Sequence, residues 1–351
     1  MTHVFLRRIV LLSLLALWQL PVMTGAVVLS AHAAGTEEPQ QPRPSTPSNE
    51  LMAQLKEAEQ KLNKKDFAGA TKVLDQAITK EPHYFGYYLR AAAKGASGDY
   101  NGALDDVNHA IRIGGSTVPA LMMRGKLYVR VKEYAKGVED YKLVVQDDMR
   151  DPIHKNIEAV RYLGVALFCK GGDDETAGNF LSMALSNSED AEEKLYSCYF
   201  LWCIHARHGK QQLWADTLKN VVDAEEKRLN AVETEANAAL PETAKPAAGT
   251  VPSAASKSWS LKVGRFLSDE LSETDLLAAA QSPEAETTAN QLCEAHYYIG
   301  MKQLGKGHKD EAAVHLNKAV ETKAMNMVEI TLAEAELLQL KNPAEPAAPA
   351  I

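Results

Sequence analysis

The chain has 351 residues, with 46 acidic and 38 basic side chains and a formal net charge of −8. Hydrophobic residues make up 46 % of it and charged residues 24 %, so most of the chain can bury a core, and its length suggests two domains. The acidic balance argues against nucleic acid as a partner, because binding it requires Lys and Arg surfaces that displace counterions. Four cysteines are too few for a disulfide-built scaffold. These numbers predict a soluble, acidic globular protein.

The first 33 residues have the order of a secretory signal. Arg7 and Arg8 precede an apolar run over residues 9–29, and Ala31-His32-Ala33 offers a small-x-small cleavage site. We therefore predict that residues 1–33 are a cleaved signal peptide and that the protein is exported to the periplasm. The alternative is an uncleaved anchor in the inner membrane, since the apolar run is nearly long enough to span a bilayer. Contact with a membrane is expected only in that case.

Three further segments predict linkers or tails. Residues 34–50 contain four prolines among Gln, Ser and Thr without an apolar period, which indicates a disordered tether. Residues 231–257 are rich in Ala, Pro and Thr and predict a flexible insert. The Ala/Pro-rich residues 342–351 predict a disordered tail.

A period near 34 residues begins at Leu51 and predicts pairs of antiparallel helices, A and B. Small residues recur at spacings of 12 or 13 and then 7. Gly or Ala at these positions lets the two helices cross closely, and stacking of the pairs then buries a continuous core. The small residues expected at helix crossings are Ala58, Ala70, Ala77, Ala91, Ala103, Ala110, Gly125, Gly137, Gly164, Ala177, Ala184, Gly300, Ala312 and Ala319.

This pattern resembles the tetratricopeptide repeat (TPR) and predicts an all-α, TPR-type solenoid of helical hairpins. Repeats 1–4 cover residues 51–190, and a degenerate helical hairpin covers residues 191–230. Residues 258–341 hold a C-terminal TPR-like repeat and a final capping helix. Within the degenerate hairpin, the strongly apolar helix over residues 195–207 is expected to be buried on most sides.

The second half is similar to NlpI-type envelope TPR proteins. The resemblance rests on the succession Phe200-Leu201-Trp202, Trp259, Gly264, Cys293-Glu294, Tyr297-Tyr298-Ile299-Gly300, Val328-Glu329 and Glu336-Leu337. It implies a periplasmic adaptor that brings a tail-specific protease to peptidoglycan hydrolases. The chain departs from the family in having no lipidation cysteine near the cleavage site and in carrying the insert over residues 231–257.

Motifs that would carry chemistry are weak. Gly171-Gly172-Asp173-Asp174 resembles a nucleotide-cyclase signature, but it falls on an A-to-B turn without strands around it. Cys203, His205 and His208 lack a further ligand at metal-binding spacing. We therefore predict no catalytic residue, no metal, no cofactor and no enzymatic activity. The cysteines are expected to be buried free thiols, with a bridge from Cys293 to Cys198 or Cys203 as the alternative.

Protein binding is expected on the face that the A helices line. Aromatic and Met side chains there would supply contact area, and Lys or Arg would meet carboxylates of a peptide. For each residue, packing in the core remains the open alternative. The candidate groove residues are Tyr88, Met122, Lys126, Val129, Arg161, Phe168, Tyr199 and Tyr297.

The function expected from the sequence is that of an exported TPR adaptor for protein or peptide partners in the bacterial envelope. An envelope protease or a peptidoglycan hydrolase is the partner that the resemblance implies. The alternative is a passive structural scaffold or homo-oligomer, including a homodimer, that recruits no enzyme. An enzyme is the least supported class.

Overall fold

The structure is a computed structural model that describes residues 46–148, 156–238, 258–324 and 327–341. The expected signal peptide, the first part of the tether, insert residues 239–257 and the C-terminal tail lie outside these ranges. The described residues form fifteen α-helices and one short 3-10 helix, with no strand among them. The predicted all-α fold of repeated helical hairpins is confirmed.

The helices are numbered in chain order. They are α1 (Asn49–Asn63), α2 (Phe67–Lys80), α3 (Tyr84–Ala96), α4 (Tyr100–Gly114), α5 (Val118–Arg130), α6 (Tyr134–Asp148), α7 (Ile157–Lys170), α8 (Asp174–Asn187), α9 (Ala191–Arg207), α10 (Ala215–Ala238), α11 (Trp259–Leu267), α12 (Glu273–Ala279), α13 (Ala285–Gly305), α14 (Lys309–Glu321) and α15 (Val328–Lys341). The 3-10 helix, Gln211–Trp214, precedes α10.

Helices A and B pack in pairs through small residues, as in α1–α2, α3–α4, α7–α8 and α13–α14. All fourteen small residues named above are buried. A Cβ added to Gly164 would lie 2.7 Å from Leu181 Cγ, and one added to Gly300 would lie 2.9 Å from Leu316 Cγ. The two hairpins therefore cross in the same way, at a distance that only glycine permits.

The turn between helices A and B repeats as well. Asp66 and Asp99, 33 residues apart, cap α2 and α4, and their Oδ1 atoms accept from Gly69 N at 2.9 Å and from Gly102 N at 3.0 Å. Gly98, just before the second cap, has φ +91°, as expected for a glycine that ends a helix. Lys65 holds the matching position of the first repeat with φ +60°.

The chain divides into two compact units between Leu127 and Tyr128, and each is described by itself. The N-terminal unit contains α1 to α4 and most of α5. Its core comprises one cluster around Leu51, Leu74 and Leu89 and another around Val107 and Leu127. This unit follows the regular repeat.

The C-terminal unit is built around α9, which packs against α7, α8, α10, α11 and α13. Ten of the seventeen residues of α9 are buried, so its neighbours enclose it on most sides as expected. α10 continues to Ala238, so residues 231–238, predicted as the start of the flexible insert, are helical instead. None of the helices in the described ranges combines the length and the hydropathy needed to cross a membrane.

Candidate functional site

The last helix, α15, lies against A helices of the C-terminal unit. It packs on α7 and α13 as well as on α14, the helix that precedes it. Near the end of α5, Arg130 Nη1 donates to Thr331 Oγ1 of α15 at 2.7 Å. Lys132, in the following turn, pairs with Glu334 at 3.3 Å. The predicted capping helix thus covers the part of the predicted groove that α7 and α13 form.

The burial of α15 shows how closely the unit holds it. The buried residues of this helix are Glu329, Ile330, Thr331, Leu332, Ala333, Ala335 and Glu336. They include five in succession, so they point in every direction around the helix axis. Leu338, near its end, is 53 % exposed. Neighbouring helices therefore enclose α15 over its first two turns.

Arg207, at the end of α9, anchors α15 by charge. Its Nε donates to Glu336 Oε1 at 3.1 Å, and its Nη2 donates to the same oxygen. The guanidinium also donates to Asp174 Oδ1 at 2.6 Å and to the Phe168 carbonyl at 3.2 Å. The central carbon of the guanidinium, Cζ, lies 3.6 Å from the centre of the Phe168 ring. These contacts join α7, α8, α9 and α15 at one buried cation.

Two further carboxyls, Glu294 of α13 and Glu329 of α15, are 3 % and 1 % exposed. Glu294 accepts hydrogen bonds from Tyr196 Oη at 2.8 Å and Trp259 Nε1 at 2.5 Å. Burial raises the pKa of Glu294 to about 7 despite these bonds. Burial, reinforced by the charge of Glu294, raises the pKa of Glu329 to about 8 against the weaker opposing effect of Arg161. Glu329 Oε2 has no hydrogen-bond partner in the described part of the chain.

The groove candidates of the C-terminal unit are core residues. Phe168, Tyr199 and Tyr297 are at most 1 % exposed, and Val129 and Arg161 are also buried. For these five residues the structure shows packing in the core, the alternative that the sequence left open. The reason is that the degenerate half adds helices around α9, and α15 covers part of the A-helix face.

Specific contacts hold two of these candidates in place. Tyr199 Oη donates to the Ser260 carbonyl at 2.8 Å, within the core. Arg161 Nε and Nη2 donate to Glu193 at 2.5 Å and 3.1 Å, and its guanidinium lies over the Tyr162 ring. Tyr199 and Arg161 thus fasten α9 to α11 and to α7, respectively.

The groove candidates of the N-terminal unit differ in exposure. Met122 is buried, which also removes it from a surface. Tyr88 and Lys126 are half-buried. The Tyr88 ring stacks on Tyr84 at 5.7 Å and packs against both apolar clusters of this unit. Tyr88 and Lys126 are therefore the two candidates that retain a surface.

The residues of the weak chemical motifs have structural roles. Asp173 of the Gly-Gly-Asp-Asp sequence caps α8 by accepting from Thr176 N at 3.1 Å, so this motif is a turn. His208 pairs with Asp174 at 2.8 Å, and His205 lies against the Trp214 ring. All four cysteines are free and buried. Within the described ranges, no cluster of three or more His, Cys, Asp or Glu side chains could hold a metal ion.

The anchoring residues Arg207, Glu294, Glu329 and Glu336 were not predicted as functional. The available signal was that two glutamates of the last helix, Glu329 and Glu336, are seven residues apart, which places both on one helix face. Their partners, however, lie 35 or more residues away in sequence.

Helical hairpins with buried Gly and Ala crossings define a fold of the TPR type. The structure is similar to that of a tetratricopeptide repeat protein from Parabacteroides merdae, at 16 % identity over 84 % of this chain and all of that one, with a TM-score of 0.44. It is also similar to the C-terminal part of a TPR repeat-containing protein from Cytophaga hutchinsonii, at 14 % identity over 79 % and 98 % of the chains, with a TM-score of 0.42. The TPR domain of P58(IPK) is similar at 16 % identity over 84 % of this chain and all of that one, with a TM-score of 0.26. No protein-family model and no curated protein matches the chain.

Proposed function

We propose that this chain is a protein-interaction scaffold that binds helical or extended segments of other proteins on its A-helix faces. One observation carries the proposal: α15 lies against the A helices α7 and α13 and is enclosed there, so this face accommodates a helix. A TPR-type fold is suited to such binding, because each repeat adds one more stretch of the same surface. TPR folds are typically non-enzymatic, and we propose binding without catalysis.

The N-terminal unit offers the surface that we expect an external partner to contact. Tyr88 presents an amphipathic ring, and Lys126 adds a cation that can meet a carboxylate of the partner. Buried aromatic anchors and charge-assisted hydrogen bonds account for much of the affinity of protein interfaces. We therefore place the external contact around these two side chains on α3 and α5.

Photo-crosslinking in the native cell tests the proposal. A benzoylphenylalanine at position 88 is expected to give adducts with a small, reproducible set of proteins. The control carries the same group at Leu143, which is 49 % exposed on α6. Equal adducts at both positions, or adducts with this chain alone, would contradict binding of an external partner through Tyr88.

The cellular setting is a further part of the proposal. The order of residues 1–33 supports export, with a mature chain that begins at Ala34, and the resemblance to envelope TPR proteins supports an adaptor role between a protease and peptidoglycan hydrolases. Mass spectrometry of the protein isolated from its native cell is expected to find Ala34 at the N-terminus. Recovery of the intact Met1 terminus would contradict cleavage, and crosslinked partners without a protease or hydrolase would contradict the adaptor role.

A further inference from the structure

The face under α15 has a definite chemistry. Leu332, Ala333 and Ala335 of α15 are buried, and Arg207 pairs with the Glu336 carboxylate. Two turns earlier in α15, the Glu329 carboxyl enters the same interior near Glu294. This face therefore holds a helix whose buried residues are mostly apolar and include two carboxyl groups, one of which meets the Arg207 cation.

The contacts between α15 and this face leave one buried carboxyl oxygen of α15 without a hydrogen-bond partner in the described ranges. At position 336 the charge meets a cation that hydrogen bonds to Asp174 and to the Phe168 carbonyl also hold in place. At position 329, by contrast, one carboxylate oxygen is buried without a hydrogen-bond partner in the described ranges, and a second carboxyl is its neighbour. A buried carboxyl without a partner costs more free energy than an uncharged side chain of similar size, because its charge must be either desolvated or neutralised. A helix with a carboxylate at the position of Glu336 and an uncharged residue at the position of Glu329 would bind this face more tightly than α15 does.

We propose that the A-helix face of the C-terminal unit is a docking groove for a partner helix and that α15 is its resident, displaceable occupant. The partner is an apolar helix with one carboxylate opposite Arg207 and an uncharged residue two turns before it. This inference rests on the proposed function and names the partner chemistry for a second surface. Charge complementarity with Arg207 selects such a helix over a basic or uncharged one.

Displacement of α15 by a competing helix depends on how often α15 leaves the groove. A competing helix binds only to molecules whose α15 has left the groove, so its apparent affinity equals its intrinsic affinity multiplied by the open fraction. Weakening the contacts of α15 at its margin raises this fraction without changing the groove itself. Glu334 is suited to this purpose, since its side chain is 26 % exposed and its partner Lys132 is outside the core.

The test is a fluorescence titration of the full chain with a labelled synthetic peptide, residues 327–341 with Glu329→Gln. We expect saturable binding to the wild-type chain. The same peptide with the additional change Glu336→Gln is expected to bind at least tenfold more weakly, because Arg207 loses its partner. Equal binding of the two peptides, or no binding of either to any variant, would overturn the proposal.

Two variants of the chain complete the test. Glu334→Lys, which sets two cations against each other, is expected to raise the apparent affinity for the first peptide about threefold to tenfold. Leu338→Ala, at an exposed position of the same helix, is expected to leave the apparent affinity for this peptide unchanged. If Glu334→Lys and Leu338→Ala bind the first peptide with equal affinity, the proposal that a partner helix displaces α15 is overturned. A dimer of Glu334→Lys in solution would assign the groove to α15 of a second copy and overturn it as well. Failure here would leave the Tyr88 crosslinks intact, so the two proposals fail separately.

Discussion

The two units use the same hairpin but treat a buried carboxylate differently. In the N-terminal unit, the Asp106 carboxylate is 3 % exposed and accepts from Arg90 at 2.6 and 2.8 Å and from Lys94 at 2.8 Å. In the C-terminal unit, the bonds that Glu294 accepts come from the neutral Tyr196 and Trp259. Cations offset the cost of burying a charge, whereas the neutral donors at Glu294 only partly offset burial, which raises the pKa of this carboxyl to about 7. The same repeat thus places one buried carboxylate among cations and leaves another with a raised pKa.

The largest effect is expected from removing the cation of the C-terminal unit. Arg207→Ala leaves Glu336 buried and unpaired and should reduce the free energy of unfolding by about 3–5 kcal/mol. Arg90→Ala is the matched change in the N-terminal unit, and it should cost less because Lys94 still meets Asp106. Urea unfolding of both variants measures the difference. A smaller loss for Arg207→Ala than for Arg90→Ala would contradict the expectation that Lys94 compensates at Asp106 for the lost arginine.

Helix crossings give the next effect. The added Cβ in Gly164→Ala would lie 2.7 Å from Leu181 Cγ and 3.1 Å from the Ala177 carbonyl, so we expect a loss of about 1–3 kcal/mol. Gly178→Ala on α8 is the control. Its Cβ would have no neighbour closer than 3.9 Å, and helix propensity predicts a gain of about 0.5–1 kcal/mol. Thermal unfolding of both variants checks the opposite signs, and equal melting temperatures would show that the crossing is not tightly packed.

The buried acid pair predicts how stability depends on pH. The folded carboxyls hold protons at a pH where unfolded ones have lost them, so this contribution to stability falls as the pH rises from about 4.5 to about 8. Burial lowers the pKa of His296 to about 4, and the stability from this group is lost as the pH falls below about 6.5. The window from pH 6.5 to 8 therefore isolates the carboxyls.

The variant Glu329→Gln separates this contribution from the others. Over that window it should lose up to about 2 kcal/mol less stability than the wild type, at 1.36 kcal/mol for each pKa unit. Chemical denaturation at pH 6.5, 7.2 and 8.0 measures both slopes. Parallel curves for the variant and the wild type would show that Glu329 does not titrate there.

The smallest effect concerns the turns of the N-terminal unit. Lys65 has φ +60° where the next repeat has Gly98 at +91°. Glycine adopts this conformation without strain, so Lys65→Gly should stabilise by roughly 0.5–1 kcal/mol and Gly98→Ala should destabilise by about 1 kcal/mol. Melting temperatures of the two variants check the pair. A loss of stability in Lys65→Gly would mean that the lysine side chain contributes more than the strain costs.

The repeats could be predicted because their signal is local. Ala or Gly at a crossing and Asp66 or Asp99 at a turn act on neighbours within one hairpin. The length of α10 could have been read more closely, since strong helix formers continue from Glu225 and the first proline comes only at Pro241. The extra residues of this helix are mostly exposed, so propensity rather than packing extends it.

Six of the eight candidate groove residues are buried, and the reason is not local in sequence. Whether Phe168 or Tyr297 faces a partner depends on what covers it, and the covering contacts are distant in sequence. Arg207 meets Glu336 across 129 residues, and Arg130 meets Thr331 across 201. A repeat pattern identifies the A helices but contains no information about a later helix that lies on them.

Hydrogen exchange of the full chain tests the central claim most directly, because it compares α15 with α9 in one molecule. If α15 is a displaceable occupant, its amides open locally and exchange at least tenfold faster than those of α9, which open only with the whole unit. Excess peptide of residues 327–341 with Glu329→Gln should leave α9 unchanged and accelerate exchange in the chain's own α15. Equal exchange rates in α15 and α9 would show that α15 is an integral part of the core and would contradict the account.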